Sequence, residues 1–285
     1  MIPPFDYKTP KTLQEACHLL WEACGKAKVI AGGTDLVIGL RNGDQNPQLL
    51  MDITNLKELR GIEESDGTLS IGAAVSHSEI ASSPLVRQYG NVLSDASSEI
   101  GSPQVRNLGT IGGNIVNASP AADTLPPLLV LDATGKVASQ EGEREVPVAQ
   151  LIKGPYETTL QPHEILVRIT FKKLPKNMKG CFVRLARREA MAIARMSVAL
   201  LIQMQEGQVK DIRIAPGAVL PTPQRLEEVE ELLKGRFPDG ELLRVASRKV
   251  SETMIRRSGI RPSTSYKAPV VEALFVRAMR MALEE

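Results

Sequence analysis

Between Arg106 and Asp123 the chain reads Arg-Asn-Leu-Gly-Thr-Ile-Gly-Gly-Asn-Ile-Val-Asn-Ala-Ser-Pro-Ala-Ala-Asp. Gly109, Gly112 and Gly113 fall within five positions, and Thr110, Asn114, Asn117 and Ser119 supply short polar groups around them. Each internal glycine costs a helix about 1 kcal/mol relative to alanine, so a bent loop is expected here, not a helix. Glycines let a backbone turn sharply and lie close to a polar ligand, and converging N–H groups in such a turn bind anions. A phosphate or a sugar-linked cofactor fits that chemistry. A second run of similar character, Gly32-Gly33-Thr34-Asp35-Leu36, follows the apolar Lys28-Val-Ile-Ala31. It is neither the GxGxxG fingerprint nor the GxxxxGK[ST] phosphate loop. Taken alone, Gly32-Gly33 fits a plain β-to-α turn at least as well as an anion site.

These two runs need elements to hold them. Thr12-Leu-Gln-Glu15 reads as a capping box opening a helix, with Leu13, Ala16, Cys17, Leu20, Trp21 and Cys24 at helical spacing and Gly25 as its C-terminal cap. Cys17 and Cys24 are both expected to face the core. Strands are expected over 28–31, 49–53, 68–74 and 164–171, and a hairpin turning at Glu141-Gly142. Helices are expected over 76–81, 84–100 and 124–131. The basic stretch Lys172–Lys179, with Pro175 and Asn177, marks a domain boundary. Beyond it come strands over 181–184, 195–203 and 209–214, then helices over 224–234, 240–254 and 269–283. The expected fold is α+β: a domain over 1–175, in two α/β subdomains of about 1–60 and 61–175, then an α+β domain over 176–285 with a three-stranded sheet and helices.

The 285 residues are 42% hydrophobic and 24% charged, values typical of a globular chain. A net charge of +2 and only 4% aromatic residues argue against a nucleic-acid surface. No apolar run reaches the length of a membrane span, and the N-terminus lacks the pattern of a signal peptide, so the expected location is the cytoplasm. Cys17, Cys24 and Cys181 show no CxxC spacing, which points away from a metal or iron–sulfur centre in this chain. His18, His77 and His163 are isolated and read as surface or internally satisfied groups. Met191, Met196 and Met204 read as core filler.

Ala31-Gly-Gly-Thr-Asp-Leu36, Arg106-Asn-Leu-Gly-Thr-Ile-Gly-Gly-Asn-Ile115 and Ala118-Ser-Pro-Ala-Ala-Asp-Thr124, in this order and separation, carry a specific resemblance. The chain resembles the FAD-binding subunit of molybdenum hydroxylases, the family of xanthine dehydrogenase, aerobic carbon monoxide dehydrogenase and nicotinate dehydrogenase. The resemblance spans essentially the whole chain. It implies an FAD-binding fold of the PCMH type, with two subdomains clasping FAD, followed by a C-terminal α+β domain. It also implies residue roles. Val29, Ile30, Ala31, Gly32, Gly33, Thr34, Asp35 and Leu36 would wrap the pyrophosphate and adenosine. Thr110, Ile111, Gly112, Gly113 and Asn114 would form the second pyrophosphate loop, both loops offering backbone donors. Asp123 would bond cofactor hydroxyls, Ile100 would lie near the flavin ring and Leu166 would contact adenine. Arg184 would stand where relatives hold a cation near the flavin, often a lysine. Read from the residues alone, Asp123 equally suits a helix cap before Thr124. Arg184, with Arg187, Arg188 and Arg195 nearby, equally suits a solvated loop.

No nucleophile–base–orienter set is evident, so no catalytic side chain is assigned and the cofactor would carry the chemistry. The resemblance implies a dimerising heteromeric complex in which a large subunit holds the molybdenum cofactor and a small one holds two [2Fe–2S] clusters. This chain would pass their electrons through FAD to NAD+, a quinone, oxygen or another acceptor. A stand-alone flavin oxidoreductase and a cofactor-free assembly subunit are the competing readings.

Overall fold

The computed structural model describes residues 4–188 and 191–284. Its first unit is a parallel sheet of β1 (Asp6–Lys8), β2 (Ala27–Ile30) and β3 (Leu49–Asp52), ordered β1-β3-β2. Parallel neighbours need crossovers, and α1 (Leu13–Glu22) and α2 (Leu36–Asn42) supply them. The Thr12 hydroxyl accepts from the Glu15 N–H at 3.1 Å, the cap expected from sequence. Glu15 reaches back to the Lys11 N–H and not to Thr12. Ala16, Cys17 and Leu20 are buried. Cys24 does not join them: the helix ends at Glu22, and Cys24 is exposed in a left-handed turn with φ 47°.

The second unit is an antiparallel sheet with helices interposed between its strands. In chain order these are β4 (Ile62–Ser65), β5 (Thr68–Gly72), α3 (His77–Ser82), α4 (Pro84–Tyr89), α5 (Asn91–Glu99), α6 (Pro103–Leu108), α7 (Ile111–Asn117) and α8 (Leu125–Val130). Then follow β6 (Thr134–Ser139), β7 (Gly142–Pro147), α9 (Val148–Leu151), the β8 (Ile152–Gly154) and β9 (Glu157–Thr158) ribbon, and β10 (Ile165–Lys172). The sheet order is β4-β5-β10-β6-β7, so the last strand occupies its centre. The helix expected over 84–100 is two helices. They part at Gly90, where an added Cβ would lie 2.9 Å from the Phe171 ring.

The third unit is the antiparallel sheet β11 (Met178–Ala186), β12 (Ala194–Gln205) and β13 (Gln208–Gly217), followed by α10 (Glu227–Leu233), α11 (Gly240–Ser258) and α12 (Thr264–Glu284). Glu206 and Gly207, at φ 52° and 79°, turn β12 into β13 as a two-residue hairpin. Both faces of β12 are covered. Ala199 and Leu201 join the core of the second unit, while Val198, Leu200 and Ile202 join the core formed with the C-terminal helices. Double burial explains why Val198-Ala-Leu-Leu-Ile202 is continuously apolar where a one-sided strand would alternate. Helix α12 starts five residues before Pro269, which lies inside it.

Polar contacts fasten this third unit to the second. Asn91 Nδ2 donates to the Gly180 carbonyl at 2.7 Å, Arg213 donates to the Val130 carbonyl at 3.1 Å, and Arg225 pairs with Asp132 at 2.7 Å. Met191 is 62% exposed, which removes it from the core assignment, whereas Met196 is fully buried and Met204 half-buried.

Candidate functional site

At the end of β2 the chain leaves the sheet at Ile30, turns through Gly33 at φ 69° and enters α2 behind Asp35. Asp35 makes no side-chain cap bond to this helix. Among the described residues, the N–H groups of Gly32, Gly33, Thr34, Asp35 and Leu36 donate to no protein acceptor. Unpaired backbone donors must bond water or a ligand, because an unmet buried donor costs as much as a lost hydrogen bond. Five successive donors on a half-exposed turn form an anion-binding concavity.

The second run differs from the expected loop. Ile111–Asn117 is the helix α7, and Thr110 is its N-cap, the hydroxyl accepting from the Gly113 N–H at 3.1 Å. Tertiary contacts outweigh the glycine penalty. Ile111 N–H donates to the Val75 carbonyl at 3.0 Å and Gly112 N–H to the Ala73 carbonyl at 2.9 Å, pinning the helix start to the chain just beyond β5. A Cβ on Gly112 would lie 2.7 Å from both the Cβ and the carbonyl oxygen of Ala73, so this glycine sets how closely helix and strand approach. Asn114 N–H bonds the Thr110 carbonyl at 2.9 Å. The donors at 111–114 are therefore internally engaged, and the free donors belong to the first turn. Gly113, unlike Gly112, is exposed.

The two runs touch. A Cβ on Gly32 would fall 1.8 Å from the Leu108 carbonyl oxygen and 2.9 Å from Gly109 N. A Cβ on Gly109 would meet Thr34 Oγ1 at 3.6 Å and the His77 ring at 3.3 Å. His77, adjacent to this junction, donates its N–H to the Gly109 carbonyl at 3.0 Å. Its ring is buried, and Nδ1 lacks a protein partner. Burial pushes its pKa down to about 4, so the imidazole is neutral near pH 7. It is therefore neither a surface histidine nor a fully satisfied one.

A second polar group lies beside this junction along the chain. Thr124 Oγ1 donates to Asn114 Oδ1 at 2.6 Å, tying α7 to the segment bearing Asp123. Asp123 does not cap α8, whose N-cap is Thr124. Instead its Oδ2 pairs with Arg184 at 3.1 Å, while its buried Oδ1 has no partner. Burial drives the carboxyl up to about 6, with Arg184 opposing and Glu99 reinforcing the rise. Arg184 is not a solvated loop residue: it lies in β11 with its side chain 5% exposed, and its Nε also pairs with Glu99 at 2.9 Å. Ile100 follows Glu99 as the C-cap of α5.

Val29, Ile30 and Ala31 are half-buried behind the first turn. Leu166 is only 4% exposed within the core on β10, so it offers little surface to a ligand. The structure thus brings residues 29–36 against 108–114, and Asp123 against Arg184, with Asn114 linking the two groups. Sequence reading missed His77 and Glu99. A histidine directly after a capping serine, Ser76, carries no signal of burial. Glu99 and Arg184 lie 85 positions apart, beyond any spacing rule.

Residues 3–174 match the family described as the FAD binding domain in molybdopterin dehydrogenase, and residues 182–282 match the CO dehydrogenase flavoprotein C-terminal domain. The chain belongs to this family of FAD-binding subunits. It is 32% identical to the xanthine dehydrogenase FAD-binding subunit of Escherichia coli O157:H7, over 97% of this chain and 95% of that one. It is 34% identical to the glyceraldehyde dehydrogenase medium chain of Sulfolobus acidocaldarius, over 98% and 99% of the two chains. A carbon monoxide dehydrogenase structure from Hydrogenophaga pseudoflava, lacking the Mo-pyranopterin moiety, superposes with a TM-score of 0.93 at 31% identity, covering 100% of this chain and 99% of that chain. This protein is thus the FAD-binding subunit of a molybdenum hydroxylase-type oxidoreductase, with an FAD-binding domain and a C-terminal α+β domain.

Proposed function

We propose that the chain holds FAD across the junction of the two glycine runs and relays electrons from a [2Fe–2S] partner subunit to a diffusible acceptor such as NAD+. The observation that carries the site assignment is the row of unpaired N–H donors from Gly32 to Leu36, set against Leu108-Gly109. Five neutral donors suit a pyrophosphate without a lysine, and the exposed start of α7 at Gly113 adds a side-chain-free wall. The unpartnered Oδ1 of Asp123 is an acceptor that could take a hydroxyl, the chemistry of the sugar-like part of such a ligand. When bound, FAD supplies the step between one-electron donors and two-electron acceptors.

The chain's own residues orient and tune. Asn114 fixes the distance between the helix start and Asp123 through Thr124. Arg184 is placed by two carboxylates, Glu99 and Asp123, which together more than offset its positive charge when both are ionised. Protonation of Asp123 leaves the trio neutral, and ionisation leaves it at −1. The local potential therefore turns more negative as pH rises through about 6.

The medium-chain naming of relatives from carbon monoxide and glyceraldehyde dehydrogenases supports a heteromeric assembly. We propose partners bearing the molybdenum cofactor and the iron–sulfur clusters, with the whole complex dimerised and cytoplasmic. Purification with the neighbouring-gene products tests the assembly: co-purifying molybdenum and iron with NADH-reducible flavin supports it. A flavoprotein that turns over substrate alone would replace it with the stand-alone reading.

A further inference from the structure

A cleft of about 360 Å³ opens between the segment at Pro120-Ala121, the start of β12 and the N-terminal turn of α12. Arg195, Lys267 and Tyr266 line it, and the Ala218 carbonyl lies on its floor. Lys267 Nζ donates to that carbonyl at 2.6 Å, and the Arg195 guanidinium sits 5.5 Å from the centre of the Tyr266 ring. Arg261 lies in the turn before α12, outside the cleft lining, its Nε donating to the Ser258 carbonyl at 3.1 Å and its backbone N–H to the Thr264 hydroxyl at 2.8 Å.

Among the described residues no carboxylate lines this cleft. Arg195 and Lys267 form no ion pair among the described residues, whereas other buried or half-buried arginines, such as Arg184 with Asp123 and Arg225 with Glu230, do. Burial, then the charges of Arg261 and Arg195, push the Lys267 ammonium below the usual lysine range. Arg195 and Lys267 thus share one cleft with no carboxylate paired to either among the described residues, and like charges held together repel unless an anion joins them. Pro120, Ala121 and Ala194 supply apolar wall, Ser263 a hydroxyl, and the Tyr266 ring a flat face. A pyrophosphate for the cations and a planar ring for these walls fill both halves of the cleft.

We propose that this cleft binds a phosphate-bearing small molecule of the nucleotide class, separately from the junction at Gly32 and Gly109. Two residues beyond the Pro120-Ala121 wall the same segment presents Asp123 to Arg184. An occupant would therefore rest on the chain that sets the Asp123–Arg184 pair.

Inorganic pyrophosphate and ADP, titrated by calorimetry into protein preloaded with saturating FAD, test the site without competition from the first junction. Both are expected to bind, more weakly at high salt. The R195Q/K267Q double variant, which loses two charged hydrogen bonds, is expected to bind about a hundredfold or more weaker. Its flavin content and circular dichroism should match the parent. K267R should retain binding, which guards against a variant that merely misfolds. ADP binding tighter than pyrophosphate, with the difference lost in Tyr266→Leu, assigns the ring wall to the base. Equal affinities assign the site to the pyrophosphate alone. No binding by the parent, or undiminished binding in R195Q/K267Q, overturns the proposal. Should the protein take up no FAD, the flavin reading fails, and the same titration on the protein as purified still decides this one.

Discussion

Replacing Gly32 with alanine builds a Cβ 1.8 Å from the Leu108 carbonyl oxygen, 2.4 Å from its carbon and 2.9 Å from Gly109 N. All three obstacles are backbone, so no side chain can rotate away. Restoring ordinary contact requires the two runs to part by roughly 1.5 Å, given carbon contacts near 3.5 Å. Overpacking of this kind costs about 1–3 kcal/mol. A displacement of the donor row from Gly109 and Thr110 should weaken FAD by about 10–100-fold if the ligand needs both walls, 1.4 kcal/mol being one decade. The control is Gly240→Ala at the first position of α11, where the new Cβ meets nothing within 4 Å and φ needs no glycine. That change should leave FAD binding untouched and raise the melting temperature slightly. Apoprotein titrated with FAD and followed by flavin fluorescence, alongside thermal melts of both variants, gives the comparison. Wild-type affinity in Gly32→Ala would refute the reasoning that this contact shapes the site.

Other expectations follow from individual groups. Asp123→Asn should abolish a pH step near 6 in the flavin reduction potential, the parent becoming harder to reduce as the carboxyl ionises above that pH; a step that survives the substitution assigns it to another group. His77 takes its proton at about 4 when folded and near 6.5 when unfolded, so the unfolded chain protonates first and stability falls as pH drops through that window. The loss amounts to about 3 kcal/mol at full protonation, read as the pH dependence of urea unfolding, and it should vanish in His77→Gln. Thr110→Val removes the cap on α7 and should cost about 1 kcal/mol in the same assay, with undiminished stability ruling out the cap's contribution.

The first turn was legible because its chemistry is local: a buried strand ends, two glycines turn the chain and nothing in the neighbouring residues consumes the donors. The second run was misread as a loop for the opposite reason. The Ala73 and Val75 carbonyls that anchor α7 lie about 40 residues earlier in the chain, and they make glycine at 112 a packing requirement in place of a helix penalty. Helix propensity is a weak prior when tertiary contacts decide. The cap at Thr12 and the three C-terminal strands were readable from local pattern. Cys24 was misplaced because a seven-residue spacing was extended past the true end of α1. The Glu99–Arg184–Asp123 trio was invisible to spacing, since it joins α5, β11 and the loop before α8. Arg184 accordingly reads as a free cation in sequence and as a compensated one in the fold.

Gly32–Leu36 and the start of α7 are proposed to hold FAD without a covalent bond. Flavin stoichiometry in the purified protein and in Gly113→Val tests it most directly, because the valine projects from the exposed start of α7, its Cβ meeting only Thr110 Oγ1 at 3.0 Å. The expected result is a yellow parent with one FAD per chain, released intact on denaturation, and a folded Gly113→Val protein without it. A folded parent that takes up no FAD, or a valine variant that keeps FAD at full stoichiometry and affinity, would contradict the assignment.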